Sequence, residues 1–201
     1  MVNKQNVAIF IFEDVEVLDF AGPFEVFGVT RDITDGTTPL FNVYTVAETD
    51  APVIARNGLS VNPAYTLTNC PNPDIFLIPG GRGTRTAINN TALIDWISTQ
   101  APQVEHVLSV CTGSLMLAQA QLLKGMEATT HHSAFDELYA VDATIKLNRE
   151  RRFVDNGHVV TSAGISAGID MALHIVAKLH GIEQARQTAH YMEYHWNETI
   201  A

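Results

Sequence analysis

Continuous apolar runs, rather than alternating ones, mark the strands of this chain. Residues 7–12 (VAIFIF) and 74–79 (DIFLIP) read as strands covered on both faces, as in a parallel sheet. Phe41–Ala47 and residues 104–110 extend the set. Between them the period changes. Thr91–Gln100 spaces Leu93, Ile94 and Ile97 at helical intervals, and residues 114–123 form an apolar helix. A further helix is predicted within residues 23–30, with Gly22-Pro23 at its start, because proline is tolerated in a first turn. Residues 48–68 mix Pro, Asn and Gly with alternating apolar positions and read as short strands and turns. Residues 127–130 predict a short strand, and residues 133–140 a helix capped by Ser133, with Asp136 three residues on. Residues 145–154 and 158–162 read as strands joined by an Asn156-Gly157 turn, and residues 169–179 and 182–196 as helices broken by Gly181. Strands alternating with helices predict an α/β fold. Its sheet is mainly parallel with helices on both faces, in a single domain over residues 1–201.

Composition narrows the function classes. The chain has 201 residues, of which 46% are hydrophobic, enough for one α/β core. No apolar run approaches the roughly 20 residues needed to span a bilayer, so no membrane partner is expected. The opening residues, Met1 to Asn6, run directly into a strand without the apolar core of a signal peptide, which predicts a cytoplasmic protein. Twelve basic residues against 22 acidic ones give a net charge of −10, which disfavours nucleic-acid binding by this chain alone. The densest basic cluster, Arg149, Arg151 and Arg152, reads as a solvated hairpin or strand edge. Two cysteines do not make a disulfide scaffold in a cytosolic chain.

Those two cysteines differ in setting. Cys70 sits in a Pro- and Asn-rich loop with no helix start after it, and reads as structural. Cys111 ends an apolar strand, and Gly113-Ser114 turns the chain tightly into a helix. This is the logic of a nucleophile elbow, with backbone N–H groups at the helix start favouring a thiolate. A small buried residue is the competing reading. The turn Pro79-Gly80-Gly81-Arg82-Gly83 follows another parallel-type strand, so Gly80 and Gly81 could offer oxyanion-binding amides at the same sheet edge. Asp19, between Leu18 and Phe20, reads either as a desolvated acid with a raised pKa or as a helix N-cap near Gly22-Pro23. His131 and His132, adjacent at a strand end, should point to opposite faces, so one of them could border the thiol. The pairs His174/His180 and His190/His195 do not put two ligands on one helix face, and no metal or cofactor is assigned. Tyr191, Met192, Tyr194 and Trp196 read as packing, with a subunit contact among the options.

In order along the chain, Leu18-Asp19, Gly22-Pro23, Ile78-Pro79-Gly80-Gly81, Ser109-Val110-Cys111-Thr112-Gly113-Ser114, Ala128-Thr129-Thr130-His131 and residues 161–170 (TSAGISAGID) resemble the ThiJ/PfpI superfamily. The resemblance spans Val7 to about Trp196 and implies a flavodoxin-like, class I glutamine-amidotransferase-like fold. Within the superfamily it is closest in look to isocyanide (isonitrile) hydratases and to the sensor domain of AraC-type regulators. The hydratase pattern implies Cys111 as nucleophile, Asp19 beside it, Thr112 as a positioning residue and a backbone contact from Ile165 to the thiol. It implies a homodimer acting on a small molecule, a hydro-lyase that converts an isocyanide to an N-substituted formamide. A glyoxalase, deglycase or amidase-like enzyme, or a redox or ligand sensor, are the alternatives. Two departures bear on the substrate: Ser162-Ala163-Gly164 replaces a Gly-rich stretch, and His132 replaces an aromatic residue.

Overall fold

The computed structural model describes residues 4–198, so Met1–Asn3 and the leader expectation that rests on them lie outside the described residues. Strand β1 (Gln5–Phe10) is followed by helix α1 (Val17–Val29) and β2 (Phe41–Ala47). Three two-residue strands come next: β3 (Val53–Ile54), β4 (Ser60–Val61) and β5 (Tyr65–Thr66). Strand β6 (Ile75–Ile78) leads to α2 (Thr84–Ala87) and α3 (Thr91–Gln100), and β7 (His106–Val110) leads to α4 (Gly113–Gln119). Then come β8 (Glu127–Ala128), α5 (Phe135–Val141), β9 (Lys146–Leu147), and the hairpin of β10 (Phe153–Asp155) and β11 (Val159–Ser162). Helices α6 (Ala167–His180) and α7 (Ile182–Tyr191) complete the set.

Seven strands form one sheet in the order β10-β11-β7-β6-β1-β2-β5. All neighbours are parallel except β10 and β11, as expected for a mainly parallel sheet. Val7 pairs with Val43 on one side and Ile75 on the other, and Phe76 pairs with Val107, so apolar residues meet across the central strands. Helix α1 packs on β1, β2 and α6, and α6 packs on α7, β7 and β11. Helix α4 packs on β6 and β7 and meets α2, α3 and α5. This double cover explains the unbroken apolar strands, with Phe10, Phe76 and Leu108 fully buried. The chain winds outward from β1 through β2 to β5, then returns to β6 on the other side of β1. A topological switch point therefore falls between β1 and β6, and open α/β sheets place their ligands at the carboxyl ends there. Among the described residues no helix is long and apolar enough to cross a membrane.

Several element boundaries differ from the sequence reading, each for a local reason. Helix α1 starts at Val17, and Pro23 lies inside it. Proline has no amide to offer the Asp19 carbonyl four residues back. The Gly22-Pro23 pair instead serves helix packing: a Cβ on Gly22 would stand 2.9 Å from Ile169 of α6, and one on Gly168 would stand 3.4 Å from the Pro23 ring. Helix α4 stops at Gln119 rather than residue 123, because the chain turns through left-handed Gln121 (φ 60°). Ser133 does not cap α5, since its hydroxyl pairs with His131 Nδ1 at 2.8 Å and Ala134 holds the cap position. The strand expected over residues 145–154 is split, because Asn148 Oδ1 accepts the Glu150 and Arg151 amides and breaks the extended run. Its first half pairs with β8 in a separate two-stranded sheet. Helix α7 ends at Tyr191, so Trp196 lies beyond it. Met192, Tyr194 and Trp196 still pack on the core, whereas Tyr191 is 72% exposed.

Candidate active site

Four carboxyl-end segments meet at the switch point: the start of α1 after β1, the glycine turn after β6, the elbow after β7 and the turn after β11. Cys111 is buried and holds a left-handed φ of 57°, a conformation that costs a non-glycine residue on the order of 1 kcal/mol or more. The surrounding bonds impose it. The Cys111 amide donates to the Ser162 and Ala163 carbonyls at 3.1 and 3.2 Å. Its carbonyl accepts the Ser114 and Thr130 hydroxyls at 3.1 and 2.9 Å. The structure thus builds a strained elbow at the cysteine singled out by the sequence. Cys70, half-buried and not in this site, is also a free thiol.

Asp19 lies in the first turn of α1 and is fully buried, which removes the N-cap reading. Its Oδ2 accepts the Gly80 amide at 2.9 Å. Oδ1 is buried without a close hydrogen-bond partner, and the Cys111 thiol and Ile165 amide act on the carboxyl from longer range. Ile165 holds a left-handed φ of 54° and lines the cleft over the thiol, but its amide bears on Asp19. Thr112 and Gly81 exchange two hydrogen bonds: the Gly81 amide donates to Thr112 Oγ1 at 3.0 Å, and that hydroxyl lies 3.1 Å from the Gly81 carbonyl. Thr84, which the sequence reading missed, adds its hydroxyl to Thr112 at 3.1 Å. Both glycine amides are therefore engaged by Asp19 and Thr112. They hold the acid and the threonine in place and are not open to an oxyanion, as the bare glycine turn suggested. Gly81 has a φ of 135°, and a Cβ there would sit 2.4 Å from the Asp14 carbonyl, so the residue stitches residues 13–16 to the turn.

Electrostatics also corrects the expectation of a thiolate stabilised by the helix start. Burial foremost, and then the charge of Asp19, push the Cys111 thiol up to about 12, and the Thr112 amide only partly opposes them. Burial likewise raises Asp19 to about 7 against the pull of the Gly80 amide. The two acids titrate as a pair. As the pH rises through about 7 the pair gives up one proton, and thiolate beside neutral carboxyl is one arrangement of the proton that remains. The expected result is that Cys111 alkylation by iodoacetamide climbs through about pH 7 and that the step disappears in Asp19→Asn. Mass-spectrometric rates across that range check it; a flat profile in the wild type would contradict the coupling.

The histidines do not point to opposite faces, because the chain leaves the strand after Ala128. Their rings lie together, with centroids 4.2 Å apart. His131 lines the cleft and Gly164 makes room for it, since a Cβ there would meet its ring at 2.2 Å. Burial first, and then His132 and Arg85, lower its pKa, which favours a neutral ring. His132 lines the neighbouring groove instead. The cleft holds 630 Å³ and also contains Glu16, Arg56, Arg82 and Arg85, which the sequence reading did not gather. Arg82 and Arg85 flank the glycine turn and were the available signal; Arg56 comes from a distant loop.

The chain matches the DJ-1/PfpI family over residues 5–178. It is 35% identical to the isonitrile hydratase of Pseudomonas putida, over 94% of this chain and 78% of that protein. The HTH-type transcriptional regulator GbdR of Pseudomonas aeruginosa is 24% identical, and there the match covers 90% of this chain but only 48% of the regulator. Among solved structures, a ThiJ/PfpI family protein from Pseudomonas syringae superposes with a TM-score of 0.85 at 29% identity, covering 98% of this chain and 78% of that one. Drosophila melanogaster DJ-1beta shares the fold at a TM-score of 0.82, covering 96% of this chain and 100% of that one, at 18% identity. On a match of this length, with a parallel sheet whose carboxyl ends gather a cysteine elbow and a buried acid, the chain belongs to the DJ-1/PfpI family.

Proposed function

We propose that this protein is a cysteine-dependent hydro-lyase that hydrates an isocyanide to an N-substituted formamide. One observation carries the reading: the buried thiol has a buried, protonatable carboxyl as its proton partner, and no imidazole. His131 Nδ1 is tied to Ser133, and no hydrogen bond joins its ring to Cys111. An amide hydrolase needs a base that hands a proton to a leaving nitrogen, whereas isocyanide hydration needs an acid that protonates carbon. The similarity to isonitrile hydratase supports the same choice.

In the proposed cycle the Cys111 thiolate attacks the terminal carbon, forming the C–S bond, and Asp19 delivers its proton to that carbon to give a thioimidate. Water then adds to the carbon, passing one proton to nitrogen and one back to the Asp19 carboxylate. The oxyanion left on the carbon collapses to the carbonyl, the C–S bond breaks with its electrons returning to sulfur to restore the thiolate, and the N-substituted formamide departs. Thr112 and Gly80 keep the pair aligned.

The test is turnover of cyclohexyl isocyanide in labelled water, read by mass spectrometry. One labelled oxygen in the formamide is expected, with Cys70→Ser retaining turnover. Turnover of methylglyoxal without any of the isocyanide would replace this reading with a glyoxalase.

A further inference from the structure

The charge around Cys111 runs against the charge of the whole protein. Lys and Arg are outnumbered 12 to 22, yet six of the eight arginines line two adjoining hollows at this one sheet edge. Arg56, Arg82 and Arg85 stand against the single carboxylate of Glu16 in the 630 Å³ cleft over the thiol. Across His131 and Ile165, which line both hollows, Arg149, Arg151 and Arg152 stand against Glu150 in a 540 Å³ groove. Most of these guanidinium groups have work elsewhere. Arg85 is held by Glu137 in a two-bond pair at 2.7 and 2.8 Å, Arg56 faces Asp14 and Glu16 at 3.8 and 4.0 Å, and Arg152 pairs with buried Asp170 at 2.6 Å. Arg149, exposed with Arg151 as expected of a solvated edge, lies over the Phe135 ring and 3.4 Å from Asp136. Arg82 differs. It sits between Gly81 and Gly83 on the cleft wall, and its guanidinium has no hydrogen-bond or ion-pair partner among the described residues.

We infer that the electrophile Cys111 attacks carries a carboxylate, and that Arg82 binds it while the reactive carbon reaches the thiol. The inference rests on the proposed hydration and narrows its substrate to an isocyano acid, with an N-formyl amino acid as product. A single free guanidinium supplies one positive charge and a planar fork, which suits a monoanionic carboxylate. Arg56 and Arg85 raise the local potential without being free to clamp, and in a protein of net charge −10 the gathered arginines focus an anion into this cleft and away from the remaining surface. A neutral substrate would leave the Arg82 guanidinium without a partner in the cleft.

Two measurements test the clamp, and only one depends on hydration. The first is the ratio of Cys111 alkylation rates by iodoacetate and iodoacetamide, which differ in the anionic group and not in the bond broken. Arg82→Gln is expected to lower that ratio roughly tenfold, the scale of one charge-assisted hydrogen bond. Lys124→Gln, which removes the same charge at an exposed position, should leave the ratio as it is. Added salt should compress the ratio in the wild type. An unchanged ratio in Arg82→Gln, or an equal fall in Lys124→Gln, overturns the clamp. The second measurement compares isocyanoacetate with its methyl ester: a higher kcat/KM for the acid, lost through KM in Arg82→Gln, is expected. If acid and ester are hydrated equally well, the clamp fails and hydration stands. If neither is hydrated, the proposed reaction fails, while the alkylation ratio still decides the clamp.

Discussion

Asp19→Asn is expected to give a protein that is more stable than the wild type at about pH 8 and inactive there. The sign follows from the raised pKa. Asp19 goes from an ordinary 3.8 to about 7 on folding, so the folded state favours the protonated carboxyl. Its contribution to stability is complete in acid and is lost as the pH rises from about 4 through about 7. At about 1.4 kcal/mol per unit this could reach about 4 kcal/mol; the proton shared with Cys111 brings the expectation nearer about 2 kcal/mol. Asparagine is neutral at every pH and keeps a carbonyl for the Gly80 amide. Its melting temperature should exceed that of the wild type by roughly 4–8 °C at about pH 8 and converge with it in acid. Turnover should fall by roughly a thousandfold, the scale of a lost general acid, with the residual approaching that of Cys111→Ala. Thermal melts at the two pH values and a single-turnover assay check both halves. A variant less stable than the wild type at alkaline pH would mean that Asp19 is not held near neutrality.

Gly113→Ala should be among the most damaging single-methyl changes in the chain. A Cβ at Gly113 would stand 2.1 Å from the Ile78 carbonyl oxygen and 2.9 Å from the Pro79 oxygen, both backbone atoms on the neighbouring crossover. Neither can swing aside as a side chain would. The elbow would have to move off β6, dragging the Thr112–Gly81 exchange and the left-handed Cys111 with it. A loss of at least about 3 kcal/mol is expected, at the severe end of single substitutions. Urea unfolding of the purified variant, or its failure to accumulate as folded protein, checks this; a melting curve within a few degrees of the wild type would mean the elbow gives way more easily than its contacts imply.

What could be read from the sequence divides along a physical line. The parallel strands were legible because burial on both faces leaves no polar alternation in residues 7–12 or 75–78, and Thr91–Gln100 came out with the right ends. Cys111 was legible as a turn because a glycine and a serine follow an apolar strand. The start of α1 was not, since Gly22-Pro23 carries the marks of a helix beginning while its actual use is contact with α6. The occupation of the Gly80 and Gly81 amides depends on how closely Asp19 and Thr112 approach in space, and no local pattern encodes that. The pKa of Cys111 was misjudged for a related reason: the helix start is visible in the sequence, but the desolvation that outweighs it is a property of the folded interior. Arg56 joins Arg82 and Arg85 only through tertiary folding.

The ends of the sheet bear on how copies of this chain could meet. One border is β5, two residues long, and the other is β10, three residues long and antiparallel to its neighbour. A partner strand added at either border would find at most three residues to bond with, too few to hold an intermolecular ladder. The long strand β1 lies in the interior of the sheet, but β5 covers β2 only at Val46 and Ala47, so among the described residues the stretch from Phe41 to Thr45 has no strand on its outer side. Strand addition at the sheet's ends is therefore confined by geometry to that one five-residue stretch.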